Sequence, residues 1–205
     1  MERLIAVAAG MVFPIAVVLA APEGDIPELL RGNDSAEKPG ITISTNAIGW
    51  GFAVMNARID VSLSGRISIG TPVYYSPWFA GNRHAVRVLG FQPEVRWWAS
   101  RGVSGAGERQ TGHFLGAHAT VAWYNVKWGD MRYQDRGRPA LGAGVSYGYR
   151  LMLTEGWGME FTLGAGVVNT RYDRFYNTKN GRLADTRQTT YFGIDNLGIS
   201  LSYSW

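Results

Sequence analysis

His118 and Thr120 stand two residues apart, in a stretch where small or polar residues alternate with apolar ones; Glu160 holds the same phase in a later stretch of the same kind. A histidine base, a hydroxyl and a carboxylate are the minimum parts of a hydrolytic trio. All three fall on a face they share with glycines and serines, and Thr is an uncommon nucleophile. The bland reading of His118 is an interior hydrogen-bonding group. A wider set of charges occupies the same phase: Arg58, Asp60, Glu94, Arg96, Arg150 and Glu160. Opposite charges repeated on one strand face predict an interior salt-bridge network, with Glu94 and Glu160 facing Arg58, Arg96 and Arg150, because a buried charge must be paired.

Other chemistries find little footing. The chain has three histidines, His84, His113 and His118, with no close ligand spacing, and it has no cysteine, so no metal is expected and no cofactor is implied. Glycine pairs such as Gly142 with Gly144 and Gly164 with Gly166 sit at strand period rather than in a phosphate-binding turn. They are expected to leave room for neighbouring side chains. A net charge of +4, spread along the chain without a basic run, excludes a nucleic-acid arm.

The elements that must carry these residues are strands. From Leu197 the odd positions read Leu197, Ile199, Leu201, Tyr203 and Trp205, and the even ones Gly198, Ser200, Ser202 and Ser204. The same division recurs over 111–126, 138–153 and 156–172. Large apolar residues hold one face and Gly, Ser, Thr and charges the other. A soluble sandwich would turn a lysine-rich face to water, yet the only lysines are Lys38, Lys127 and Lys179. The polar face therefore reads as the inside, which is the pattern of a membrane barrel.

Eight strands are expected, at about 41–50, 57–64, 66–77, 86–99, 111–126, 138–153, 156–172 and 189–205, making an all-β, eight-stranded antiparallel transmembrane β-barrel. Gly65 and the Thr154–Glu155 corner read as tight turns, and 127–137 and 173–188 as long polar external loops. Residues 100–110 form a long glycine-rich connection on the side where short turns are usual. Asp195 falls on the lipid-facing parity, so either the strand bulges or the residue lies above the hydrocarbon. Its distance from Trp205 places it at the outer interface.

Aromatic residues make up 13% of the chain and gather near strand ends. Trp78, Trp123 and Trp128 are expected toward the outside, and Trp97, Trp98, Trp157, Tyr203 and Trp205 toward the periplasm, as two girdles at the headgroup levels. Upstream, Arg3 precedes an apolar run from Leu4 to Leu19 and a small-residue end. Residues 1–20 read as a secretory signal cleaved after Ala20, 21–40 as a flexible lead-in, and 41–205 as the barrel.

Several segments resemble a known family: Tyr-Tyr-Ser-Pro-Trp at 74–78, Gln-Pro-Glu-Val-Arg-Trp-Trp at 92–98, Gly-His-Phe-Leu-Gly-Ala-His at 112–118 with Tyr124 and Asn125 following, and Gly-Val-Ser-Tyr-Gly-Tyr at 144–149. They are similar to a Bacteroidetes domain-of-unknown-function family of small outer-membrane barrels. The resemblance implies an eight-stranded fold of the OmpA-like and OmpX-like sort, located in the outer membrane, with no established activity. It also hints at a surface or fimbrial protein partner.

The expected function is thus a structural or surface-interaction role in the cell envelope, without catalysis. Outer-membrane lipid and lipopolysaccharide are the expected partners, contacted by basic external loops. The alternatives are a lipid-modifying enzyme of the lipid A hydrolase kind, built on His118, Thr120 and Glu160, and a narrow gated conduit.

Overall fold

A computed structural model describes residues 40–80, 83–100 and 109–205. The expected signal, the lead-in up to residue 39 and most of the glycine-rich connection lie outside the described residues.

Ten strands form one antiparallel sheet: β1 (Ile41–Asn46), β2 (Met55–Ser64), β3 (Ile67–Ala80), β4 (His84–Phe91), β5 (Glu94–Trp98), β6 (Gly112–Trp128), β7 (Met131–Asp135), β8 (Ala140–Met152), β9 (Trp157–Tyr176) and β10 (Leu183–Ser204). The sheet closes because β10 pairs with β1 from Asn46↔Ser200 to Thr42↔Ser204. Around the closure run eight strand positions, with β4 and β5 sharing one and β7 and β8 sharing another. No helix among the described residues is long and apolar enough to cross a membrane, which says nothing about strands that cross one.

The period-2 pattern sets the faces. Ile59, Val95, Leu115, Val145, Leu163 and Ile199 are exposed on the outer surface of the ring, while Arg58, Glu94, Arg96, Ser146, Glu160 and Ser202 are buried inside it. One short strand was expected as a single run over 86–99. It breaks at Gln92 and Pro93, between β4 and β5, because proline brings no N–H to the ladder.

Three other segments differ from expectation. Strand β1 ends at Asn46 rather than continuing to residue 50, and Ala47–Gly51 forms the short helix α1. The Asn46 side chain accepts the Ile48 N–H at 3.0 Å as an N-cap. It also accepts the Ile199 N–H and donates to the Leu197 carbonyl, filling the place of a missing ladder partner on β10.

The expected long loops at 127–137 and 173–188 are largely strand. β9 runs on to Tyr176, β10 starts at Leu183, and β7 pairs with both β6 and β9. Cross-strand pairs hold this extension: Arg136 with Asp173 at 3.0 Å and Arg174 with Asp185 at 3.1 Å. The upper parts of β3 and β10 lack the β1 and β2 neighbours that close the ring below, so the extension is an open curved sheet.

The third difference is at Asp195. The β9–β10 register shifts between Ile194 and Asn196, and both Asp195 and Asn196 are buried in the interior. A bulge puts two successive residues opposite one partner. Asp195 is therefore inside the ring, and its placement at the outer interface is corrected.

Candidate functional site

Six charged side chains meet in the interior at the level where β2, β5, β8 and β9 face one another. The cross-strand row Asp60↔Gly70↔Glu94↔His118 sets their spacing. A Cβ at Gly70 would collide with the Asp60 carboxylate, so glycine there gives the acid its space. Arg58 spans the row, 2.6 Å from Asp60 through Nη2 and 2.8 Å from Glu94 through Nη1. Arg96 Nε donates to Glu94 at 2.7 Å, and its Nη2 lies 3.0 Å from Glu160. Arg150, paired directly across the ladder from Glu160, donates to it at 2.7 Å.

The count of charges balances: three guanidinium groups against three carboxylates, every one buried. Remaining acceptor positions are filled by hydroxyls, with Ser146 donating to Glu94 and Thr162 to Glu160. Such a set is held together by mutual pairing rather than by large net stability, since desolvation offsets most of the Coulomb attraction. Removing one member leaves a charge without its partner.

Beneath the network lies an aromatic floor. The Arg96 guanidinium sits 4.1 Å from the centre of the Phe114 ring, and that of Arg150 sits 4.9 Å from the centre of the Trp98 ring. Trp98 and Phe114 have centroids 4.8 Å apart, and Trp98 Nε1 donates to Ser68 Oγ at 2.9 Å. Trp98 is completely buried, so it belongs to the interior and not to the periplasmic girdle where it was expected. Its phase follows Arg96 and Glu94, while its neighbour Trp97 faces out.

Above the network, His118 Nε2 lies 3.0 Å from Asp195 Oδ2. His118 is on β6 and Asp195 on β10, with β8 and β9 between them. The row that joins them is His118↔Gly144↔Gly166↔Gly193. A Cβ at Gly144 or Gly166 would run into the pair. The two glycines thus open the path across two strands. Higher still, Val88, Ala122, Ala140 and Val168 pack as a buried apolar cluster, with Val86 and Tyr124 against it.

The trio of His118, Thr120 and Glu160 is not assembled. Glu160 is engaged by Arg96, Arg150 and Thr162, and His118 by Asp195. A polar cavity of about 20 Å³ beside Arg58, Tyr74 and Asn196 is the size of a single water site. No group of three His, Asp or Glu among the described residues is arranged to hold a metal ion.

The girdle residues divide by register. Trp97, Trp123 and Trp157 face outward from the ring, and the Tyr203 ring lies between those of Trp157, edge-on with centroids 5.2 Å apart, and Trp205, tilted at 5.9 Å. Trp78 pairs into the row Trp78↔Val86↔Val126↔Tyr133, which continues the inward phase on the extension. Trp128 lies at the β6–β7 tip with its ring edge-on to His84, centroids 5.4 Å apart. Trp123 alone of the three expected at that end lies on the outer face.

One interior site residue, Asp195, was expected at the outer interface, with a strand bulge as the other alternative. Asp195 follows Phe192 and Ile194, outward on even positions, and precedes Leu197 and Ile199, outward on odd ones. That switch of phase across Asp195 and Asn196 is the signal of the bulge. On the extension, Asp135 accepts the Tyr124 N–H at 3.1 Å, at the gap between β7 and β8. Burial there holds the Asp135 carboxyl above the usual carboxylate range, and the backbone hydrogen bonds oppose it only in part.

A search of curated proteins and a search of solved structures each return no match to the chain. The family model "Protein of unknown function (DUF3575)" matches residues 29–205, and by that match the chain belongs to the DUF3575 family.

Proposed function

We propose that the protein is an eight-stranded transmembrane β-barrel of the outer membrane, with a structural or surface-interaction role in the cell envelope and no catalytic one. The observation that carries this reading is the inverted polarity of the ring. Its outer surface is a belt of exposed Ile, Leu, Val, Phe and Trp, whereas six paired charges are buried inside. In water that belt would be an apolar patch far beyond what a monomer tolerates. In a bilayer it is the favourable arrangement, and the charged interior takes the place of a lumen.

The lumen is closed. The salt-bridge layer and the aromatic floor occlude one part of it, and the apolar cluster of Val88, Ala122, Ala140 and Val168 seals the next. An open aqueous conduit would need a polar path past that cluster. Catalysis is disfavoured because Glu160 and His118 are each committed to other partners.

The surface available for interaction is the β9–β10 extension, with Asn177 to Arg182 at its tip. Trypsin added to intact cells should cut at Lys179 or Arg182 and leave the rest of the barrel protected. Replacing residues 174–185 by a tight turn should preserve the folded barrel and abolish adhesion or assembly. Cleavage that requires permeabilised cells would overturn the orientation, and unchanged adhesion would overturn the surface role.

A further inference from the structure

Above Asn46 and Met55 the wall of the ring lacks two strands, because β1 ends and β2 begins there. The gap lies between the upper parts of β3 and β10, and two strand positions correspond to about 14 Å, three interstrand spacings. The two edges that border it differ. β3 turns its even residues towards β4 and β5, as in the bond from the Gln92 N–H to the Pro72 carbonyl, so its odd residues face the gap. The first of these above Tyr75 is Pro77, which has no N–H to offer. A proline on a bare edge closes it to strand addition.

On β10 the edge is open. β9 turns its odd residues to β8 and β7, as in the bonds from the Leu153 N–H to the Trp157 carbonyl and from the Arg136 N–H to the Arg171 carbonyl. Its even residues therefore bond to β10, where their partners are Arg187, Thr189 and Tyr191. The backbone N–H and C=O groups of Thr186, Gln188, Thr190 and Phe192 point into the gap, and no strand among the described residues pairs with them there. Lower on the same edge the protein's own side chains stand in for a ladder. Asn46 serves the Ile199 N–H and the Leu197 carbonyl, and the Tyr191 hydroxyl donates to the Ile194 carbonyl at 3.0 Å.

Phe192 marks the depth of the bare segment. It is 79% exposed, more than any other large apolar side chain among the described residues, and it is paired with Val167 of the outer belt. Hydrocarbon offers no partner to a backbone N–H or C=O, so a strand edge at that depth calls for polypeptide beside it.

We infer that the β10 edge from Thr186 to Phe192 takes up an extended segment of another protein, paired antiparallel in the place that β1 leaves empty. The inference rests on the membrane reading above and deepens the surface role proposed there. A fitting segment alternates apolar and polar residues, with its apolar side beside Phe192 and its polar side beside Thr189 and Tyr191. A second copy of this chain does not fit. Two copies inserted the same way up would bring β10 against β10 with opposite tilts, so the strands would cross instead of pairing, and Pro77 closes the β3 edge.

The test compares hydrogen exchange of the full chain in native outer-membrane vesicles with that of the purified protein in vesicles of the extracted lipids. The amides of Gln188, Thr190 and Phe192 should exchange at least about tenfold more slowly in the native membrane, and those of Thr189 and Tyr191, bonded to β9, slowly in both. Thr190→Pro removes one edge N–H without touching the β9 ladder and should abolish the added protection at Gln188 and Phe192. Thr186→Pro, at the other end of the edge, is the second variant, and heat-shifted gel mobility reports that each is folded. A photoreactive residue at Gln188 then identifies the neighbour: crosslinks should converge on one segment of one other protein and disappear with Thr190→Pro. Equal exchange in both membranes, protection that survives both prolines, or crosslinks only to lipid, to a second copy or to residues 21–39 would overturn the inference. Those results from protein folded in the outer membrane leave the membrane reading standing, whereas recovery of the protein in the soluble fraction would overturn both.

Discussion

His118 and Asp195 form a buried pair 3.0 Å apart although two strands separate them, and both intervening positions in the register, 144 and 166, are glycine. The bulge between Ile194 and Asn196 turns Asp195 inward. Without it the carboxylate would face outward, and His118 would be buried without its acid.

That pair should show direct coupling. Asp195→Ala and His118→Ala are each expected to destabilise the folded protein by about 1–3 kcal/mol, and the double variant by clearly less than the sum. Urea titration of the refolded protein in detergent measures all three. Strict additivity would mean that the two groups do not interact.

Glu160 accepts from both Arg96 and Arg150, so Glu160→Gln removes the charge that compensates two buried cations. A loss of about 3–5 kcal/mol is expected, in line with breaking a buried ion pair. The same substitution at the exposed Glu155 should change stability by no more than about 0.5 kcal/mol. Comparable effects at both positions would contradict the network.

Trp97 and Trp98 are adjacent and should report opposite environments. Trp97 is exposed on the outer face and Trp98 is sealed against Ser68 and Phe114. In single-tryptophan variants reconstituted with brominated lipid, Trp97 should be strongly quenched and Trp98 little affected. Equal quenching would place both rings on one surface.

The pH dependence at Asp135 has a definite sign. Its folded-state pKa is raised by burial, so the fold favours the protonated carboxyl. The stabilising effect of protonation is complete below the unfolded carboxylate range and is lost as pH rises through the raised folded value. Asp135→Asn should therefore match the wild type at low pH and become the more stable protein towards neutrality. Thermal unfolding at several pH values measures the difference, and a wild-type advantage that grows with pH would contradict the assignment.

The alternation that marks inside from outside was readable wherever one face was apolar. It located Arg58, Asp60, Glu94, Arg96, Arg150 and Glu160 on one face, and the structure joins them. It failed on the extension, where Asp173, Arg174, Asp185, Thr186 and Arg187 leave both faces polar and no period survives. Backbone pairing and ion pairs hold those strands instead. Asn46 was hidden for another reason, and at Asp195 the bulge was legible only as one of two alternatives. Each acts through a local departure from the ladder, a cap in one case and a bulge in the other, that average periodicity smooths away. The glycines at 70, 144 and 166 take their meaning only from register, because the side chains they accommodate come from other strands.

The central claim is that this closed ring sits in the outer membrane with its apolar face to lipid. Electrophoresis of the outer-membrane fraction, with and without boiling in detergent, tests it most directly. A folded band that migrates differently from the boiled one, and that is found in the outer-membrane fraction, is the predicted result. A single band unaffected by boiling, or recovery of the protein in the soluble fraction, would contradict it.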